Sequence, residues 1–170
     1  MEIVYYGCLS FRIKGKNVSI ATDLLGKVEV EDSGSVFPIQ HPGEYEIKGA
    51  SIFGFSTSEN NICYLFELEG LRLFHLGNIK GKLTDKQLGE IGEVDVLFVP
   101  VGGKDTLVPK EAMEVISQVE PKIVIPMNFD SLDEFLKEEG DGAETLPKLT
   151  ISKLDLPIET KTVILERKSG

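Results

Sequence analysis

An α+β fold, two sheets packed face to face with helices outside them, is predicted by three observations on this 170-residue sequence. Residues 1–77 read as short β-branched and aromatic runs broken by glycine turns. From Thr84 onward, continuous apolar runs alternate with amphipathic helical stretches. After Gly140 the chain returns to short strands. Such an order is satisfied when each sheet is buried between the other sheet and a helix layer. No repeat, low-complexity segment or linker breaks the chain, so residues 1–170 are expected to form a single domain.

Each element has a local reason. Ile3 to Tyr6, Ser10 to Ile13 and Val18 to Ala21 are strands of a hairpin meander, separated by Gly7 and by the Lys14-Gly15-Lys16-Asn17 turn. Leu25 to Gly34 is polar and acidic, which suits a loop or a short edge hairpin. Pro42-Gly43 turns the chain into Glu44 to Ile47, and Lys48-Gly49 turns it again into Ala50 to Phe55. Ile62 to Leu68 and Leu71 to Leu76 form a hairpin around Glu69-Gly70. Thr84 is an N-cap for a short helix with Leu88 and Ile91 inward. Val96 to Val101 is an apolar run of the kind buried on both faces. Pro109 opens a helix with Ala112, Val115, Ile116 and Val119 on one face, and Lys122 to Phe129 is a second buried strand. Ser131 to Glu139 is a third helix with Leu132, Phe135 and Leu136 inward, stopped by Gly140. Leu149 to Ser152 and Thr162 to Glu166 are closing strands.

Charge excludes whole classes of partner. Eighteen basic against 28 acidic side chains leave a net charge of −10. A nucleic-acid binder needs clustered Lys and Arg to displace phosphate counterions, and no basic run exceeds the pair Arg167-Lys168. An anionic membrane surface is disfavoured on the same ground. No apolar stretch approaches the roughly 20 residues of a spanning helix, and the N-terminal stretch lacks the pattern of a signal peptide. Cys8 and Cys63 lie in apolar, strand-like surroundings without CxxC spacing, and both are expected as reduced, largely buried thiols of a cytoplasmic protein. Only two histidines, His41 and His75, are available for metal or acid–base work.

Tyr6 to Ile13 with Ala21 to Asp23, Pro42 to Gly49, Glu69 to Asn78, Val94 to Gly103 and Pro121 to Phe129 together resemble the metallo-β-lactamase fold superfamily, in its small, uncharacterised hydrolase-like branch. The opening Tyr6-Gly7-Cys8-Leu9-Ser10-Phe11-Arg12-Ile13, followed by Ala21-Thr22-Asp23, is similar to that branch's glycine–histidine–serine–cysteine–phenylalanine start and the aspartate strand after it. Pro42 to Gly49 matches a strand-turn motif nearly letter for letter. Glu69 to Asn78 resembles the hairpin ending in histidine–leucine–glycine–aspartate. Val94 to Gly103 and Pro121 to Phe129 resemble the remaining two strands. The resemblance implies an αββα four-layer sandwich, here in truncated form.

For chemistry the same resemblance implies loss. Active relatives bind one or two metal ions, usually zinc, which supply a hydroxide to attack an ester, amide or phosphodiester. Their HxHxDH loop has no counterpart here, and Asp23 to Gly43 is short. Ser56-Thr57-Ser58-Glu59-Asn60 stands where relatives supply a further histidine, Asn78 where they carry a bridging aspartate, and Asn128 where they carry a final histidine. Cys8 replaces the histidine of the opening motif and Ser10 its cysteine. A neutral amide is a weak metal ligand, so no cofactor is expected.

Seven residues remain as parts of a vestigial site. His75 reads as a partly buried histidine bonded to backbone, or as an acid–base group without an evident nucleophile. Asp23 reads as a turn cap, or as a lining of the old cleft. Cys8 reads as a packed thiol, or as a nucleophile if its pKa is depressed. Asn78 and Asn128 are expected to satisfy at strand ends the polar groups an ion once held. Gly102 and Gly103 permit a tight turn, or cradle an anion through backbone N–H groups. The functional expectation is a metal-free, catalytically inactive member of the fold that binds a protein partner, its own copies, or a small polar ligand. The alternative is a metal-dependent hydrolase with a remodelled mononuclear site using Asp23, His41 or His75.

Overall fold

The computed structural model describes residues 1–58 and 60–169. Glu59, in the segment set against the relatives' further histidine, lies outside the described residues.

The alternating first half folds into antiparallel hairpins. Strands β1 (Glu2–Gly7), β2 (Ser10–Lys14), β3 (Ser19–Thr22), β4 (Val28–Asp32) and β5 (Ser35–Ile39) follow one another across a six-stranded sheet. The acidic stretch after Leu25 is thus the edge hairpin rather than a loop, with β5 exposed along most of its length. Strands β6 (Gly43–Ile47), β7 (Ala50–Ser58), β8 (Asn61–Leu68) and β9 (Leu71–His75) form a second meander in an eight-stranded sheet.

Parallel pairing then takes over. Helix α1 (Asp85–Ile91) leads to β10 (Val96–Pro100), α2 (Pro109–Val119) to β11 (Ile123–Met127), and α3 (Asp133–Glu139) to β12 (Glu144–Leu146). Strand β13 (Leu149–Thr150) crosses back to pair with β1 in the six-stranded sheet, and β14 (Lys161–Leu165) pairs parallel with β11. The second sheet runs β12-β14-β11-β10-β9-β8-β7-β6. All three helices lie on the connections of this sheet, because only parallel strands need crossovers. The result is the two-sheet α+β sandwich expected.

Local chemistry fixes the ends. Thr84 Oγ1 accepts the Gln87 N–H at 3.2 Å while Gln87 Oε1 accepts the Thr84 N–H at 2.8 Å, a reciprocal cap on α1. Helix α2 opens on Pro109 and buries Ala112, Val115, Ile116 and Val119, the face read from the sequence. Helix α3 starts two residues later than its apolar pattern indicated, with only Phe135 fully buried. β10 and β11 are buried along their entire length, as continuous apolar runs require. No helix of the described residues is long and apolar enough to cross a membrane.

Candidate functional site

The parallel strands β9, β10 and β11 end together, and open sheets of this kind place their sites just beyond the carboxyl ends. Four segments meet there: His75 to Asn78 after β9, Val101 to Gly103 after β10, Asn128 after β11, and the Gly7-to-Leu9 turn from the other sheet. Asn128 takes a left-handed backbone conformation (φ 48°), and its N–H donates to the Cys8 carbonyl at 3.0 Å. That bond ties the end of β11 to the turn between β1 and β2.

The two asparagines bond to each other. Asn128 Nδ2 donates to Asn78 Oδ1 at 3.0 Å, and Asn78 Nδ2 donates to the Asp105 carbonyl at 3.3 Å. The backbone N–H of Asn78 donates to Asn61 Oδ1 at 2.7 Å, while Asn61 Nδ2 donates to Thr57 Oγ1 at 2.7 Å and to the Leu76 carbonyl at 3.0 Å. Asn61 is buried and spends its whole amide on this cluster. The sequence reading passed over it, although a polar residue opening an apolar strand was a usable signal.

Below the asparagines lies His75. Its Nε2 is 3.1 Å from the Leu9 carbonyl and its Nδ1 accepts the Gly77 N–H at 3.1 Å, which fixes the neutral Nε2–H tautomer. Phe11 packs edge-on at 5.9 Å and Phe98 at 5.7 Å between ring centroids. Burial lowers the His75 pKa to about 4, against the weaker opposing effect of its bond to Leu9. The Leu9 carbonyl also accepts Thr22 Oγ1 at 2.6 Å, and Thr22 Oγ1 in turn accepts the Phe11 N–H at 2.9 Å. His75 was expected to be partly buried; it is completely buried, because both its nitrogens find partners inside the sandwich.

One other expectation changes. Cys8 is exposed rather than packed, since the left-handed turn at Gly7 and Cys8 (φ 110° and 49°) carries it out of the strand. Cys63 is buried as expected, and burial pushes its thiol pKa up to about 12. Gly102 and Gly103 do not form an open cradle. A Cβ on Gly103 would collide with the Asn128 carbonyl and lie 2.9 Å from Asn128 Oδ1, so the turn is packed against that residue. Asp23 caps its own turn, its Oδ1 accepting the N–H of Leu25 at 2.8 Å and of Lys27 at 2.9 Å. His41 is exposed on the β5–β6 connection, where its carbonyl accepts the Tyr45 hydroxyl at 2.8 Å. A cavity of about 720 Å³ opens between Val28, Ile39, His41, Asn61, Tyr64 and Gly77, on the flank of the asparagine cluster.

A two-sheet sandwich whose parallel strands end together at one edge is the architecture of the metallo-β-lactamase fold. The chain belongs to the beta-lactamase superfamily, whose domain profile matches residues 27–128. It is similar to a Thermotoga maritima crystal structure assigned to the Zn-dependent hydrolases of the metallo-beta-lactamase superfamily, with 31% identity, 97% of this chain and 98% of that chain covered, and a TM-score of 0.83. Igni18, a metallo hydrolase from Ignicoccus hospitalis, shares the fold at 14% identity and a TM-score of 0.58, over 81% of this chain and 89% of that one. Among curated relatives, a UPF0173 metal-dependent hydrolase of Thermococcus onnurineus is 33% identical over 98 residues, 52% of this chain. One from Methanospirillum hungatei is 26% identical over 168 residues, 97% of this chain. The chain spans 44% of the length of the first and 68% of the second.

These names correct the expectation of no cofactor: the relatives are called metal-dependent, so a metal ion is the cofactor to which the family points. The residues at the strand ends of this chain do not fit one. Asn78 Oδ1 is taken by Asn128, both nitrogens of His75 are engaged in the core, and Asp23 Oδ1 holds two backbone N–H groups. Among the described residues no three His, Cys, Asp or Glu side chains come together, where zinc asks for three or four such ligands.

Proposed function

We propose that this chain acts by binding on a metallo-β-lactamase scaffold and that its own residues carry no hydrolytic step. One observation supports this above the others: Asn128 Nδ2 and Asn78 Oδ1 satisfy each other across the ends of β11 and β9. Two amides in mutual contact provide neither a general base nor an anionic ligand. The histidine beneath them is neutral, aromatic-packed and out of reach of solvent. A group that cannot meet substrate cannot pass it a proton.

A second reading, hydrolysis with a remodelled mononuclear metal site, draws its support from the names of the relatives. One experiment separates the two. The purified chain is incubated with Zn²⁺, Mn²⁺ or Fe²⁺ and offered a nitrophenyl ester, a bis-nitrophenyl phosphodiester and a chromogenic β-lactam. Binding without hydrolysis predicts turnover equal to the buffer blank for every metal. Metal-dependent turnover above the buffer blank would replace it with the second reading.

A further inference from the structure

The cavity of about 720 Å³ on the flank of the asparagine cluster takes its walls from both sheets. Val28 and Ile39 are register partners across β4 and β5, while Ile62 and Tyr64 alternate onto one face of β8. Asn61 and Gly77 form the wall it shares with the asparagine cluster. Its size falls within the roughly 300–1,000 Å³ typical of small-molecule sites.

Tyr64 is only 2% exposed, yet its hydroxyl takes no hydrogen-bond partner among the described residues. The other buried phenol, Tyr5, reaches the Cys8 carbonyl at 3.3 Å. Buried phenols normally find such a partner. The Tyr64 hydroxyl is also not sealed in, because Glu139 Oε2 is the one enclosed side-chain oxygen or nitrogen left unpaired among the described residues. The cavity that Tyr64 lines is where it can be reached. Its ring is held rigidly. It stacks on Phe66 at 6.0 Å between centroids, and it crosses Gly54 so closely that a Cβ there would stand 2.9 Å from Tyr64 Cε1. Burial, with Tyr45 adding to it, raises the Tyr64 pKa, so the hydroxyl keeps its proton at neutral pH.

Around this donor the apolar surface open to the cavity is aliphatic. Leu25 and Pro38 are exposed and Ile62 is half-buried, beside the buried Val28 and Ile39. The fixed charges of the rim are one of each sign, Lys27 and Glu29, and neither enters an ion pair among the described residues. Opposite charges side by side leave little net field to hold an ion. Apolar walls with one fixed donor suit an apolar body that carries one acceptor.

We propose that this cavity binds a small uncharged aromatic molecule, its ring against Leu25, Pro38 and Ile62 and a ring nitrogen or carbonyl oxygen accepting the Tyr64 hydroxyl. The proposal rests on the binding reading above and names the ligand class for it.

The test titrates the whole chain with quinoline, isoquinoline and naphthalene at neutral pH and follows backbone amide shifts by NMR. The three probes share one shape, and only naphthalene lacks the acceptor. Saturable shifts are expected at Val28, Ile39, Ile62 and Tyr64, with the better of the two nitrogen probes binding about fivefold more tightly than naphthalene. Tyr64→Phe keeps the ring and should remove that advantage, leaving naphthalene affinity within about twofold of the wild type. N-methylquinolinium and 1-naphthoate, of opposite charge, should both bind more weakly than the nitrogen probes. No saturable shift, shifts centred on Phe53 and Phe55 instead, or a nitrogen advantage that survives Tyr64→Phe would overturn the proposal. So would equal weakening of all probes by that substitution, or tighter binding of either charged probe. Failure of the underlying binding reading shows instead as metal-dependent turnover, so the two failures are told apart.

Discussion

His75 and Leu9 join the two sheets: the imidazole Nε2 of β9 stands 3.1 Å from a carbonyl at the β1–β2 turn, in surroundings that exclude water. The histidine is held neutral, with its pKa lowered from 6.5 to about 4, and stability at acid pH should depend on it. In the unfolded chain it protonates near 6.5, so its contribution is fully present above that pH and is lost as pH falls toward 4. The shift corresponds to about 3 kcal/mol across the window. Urea unfolding of the wild type and of His75→Gln between pH 7.5 and 4.5 should show a steeper loss for the wild type. Parallel slopes would remove His75 from the explanation.

Two glycines at the site are fixed by approach of a neighbour rather than by turn geometry alone. A Cβ on Gly77 would collide with Asn61 Oδ1 and lie 2.9 Å from the Ile62 carbonyl, at φ 59°. A Cβ on Gly103 would collide with the Asn128 carbonyl, whereas one on Gly81 would meet nothing within 4 Å. Gly77→Ala and Gly103→Ala should each lose about 2–4 kcal/mol, and Gly81→Ala should stay within about 0.5 kcal/mol of the wild type. Chemical denaturation midpoints decide it.

The asparagine pair should behave as one unit. Asn78→Ala and Asn128→Ala remove opposite ends of the same bond, so a double-mutant cycle should return a coupling of about 1 kcal/mol. Additive losses would mean the amides act through their other partners. Asn78→Asp combined with Asn128→His is expected to give no hydrolysis with added zinc, since two ligands do not complete a site.

The two thiols should differ sharply in reactivity. Cys8 is exposed, while Cys63 is buried with its thiol pKa near 12. A colourimetric disulfide reagent at pH 8 should modify one thiol in the native protein and the second only on unfolding. Cys8→Ser should abolish the native reaction.

Much of the fold was legible because its signals are local. The β-branched and aromatic runs of β1 to β3, the apolar blocks of β10 and β11, and the Thr84 cap need no knowledge of distant residues. Strand β12 was missed: Glu144–Leu146 is three residues with no buried position, and it exists through its partner β14. The site was less legible for the same reason. Asn78 and Asn128 could be placed at strand ends, yet their contact joins residues 50 apart and depends on the register of β9, β10 and β11. The packing of Gly103 under Asn128 and the use of Asn61 as a clamp are likewise properties of approach, which composition does not encode.

The pairing of β1 with β13 has a consequence for how the chain assembles. The Met1 ammonium donates to the Ile151 carbonyl, 150 residues away, and Glu2 and Ile3 face Thr150 and Leu149. During synthesis, the hairpins β1 to β5 are available early, but the outer edge of β1 has no neighbour until β13 has emerged. That edge stays open to intruding strands until then, and closing it is the long-range step that commits both sheets to one register.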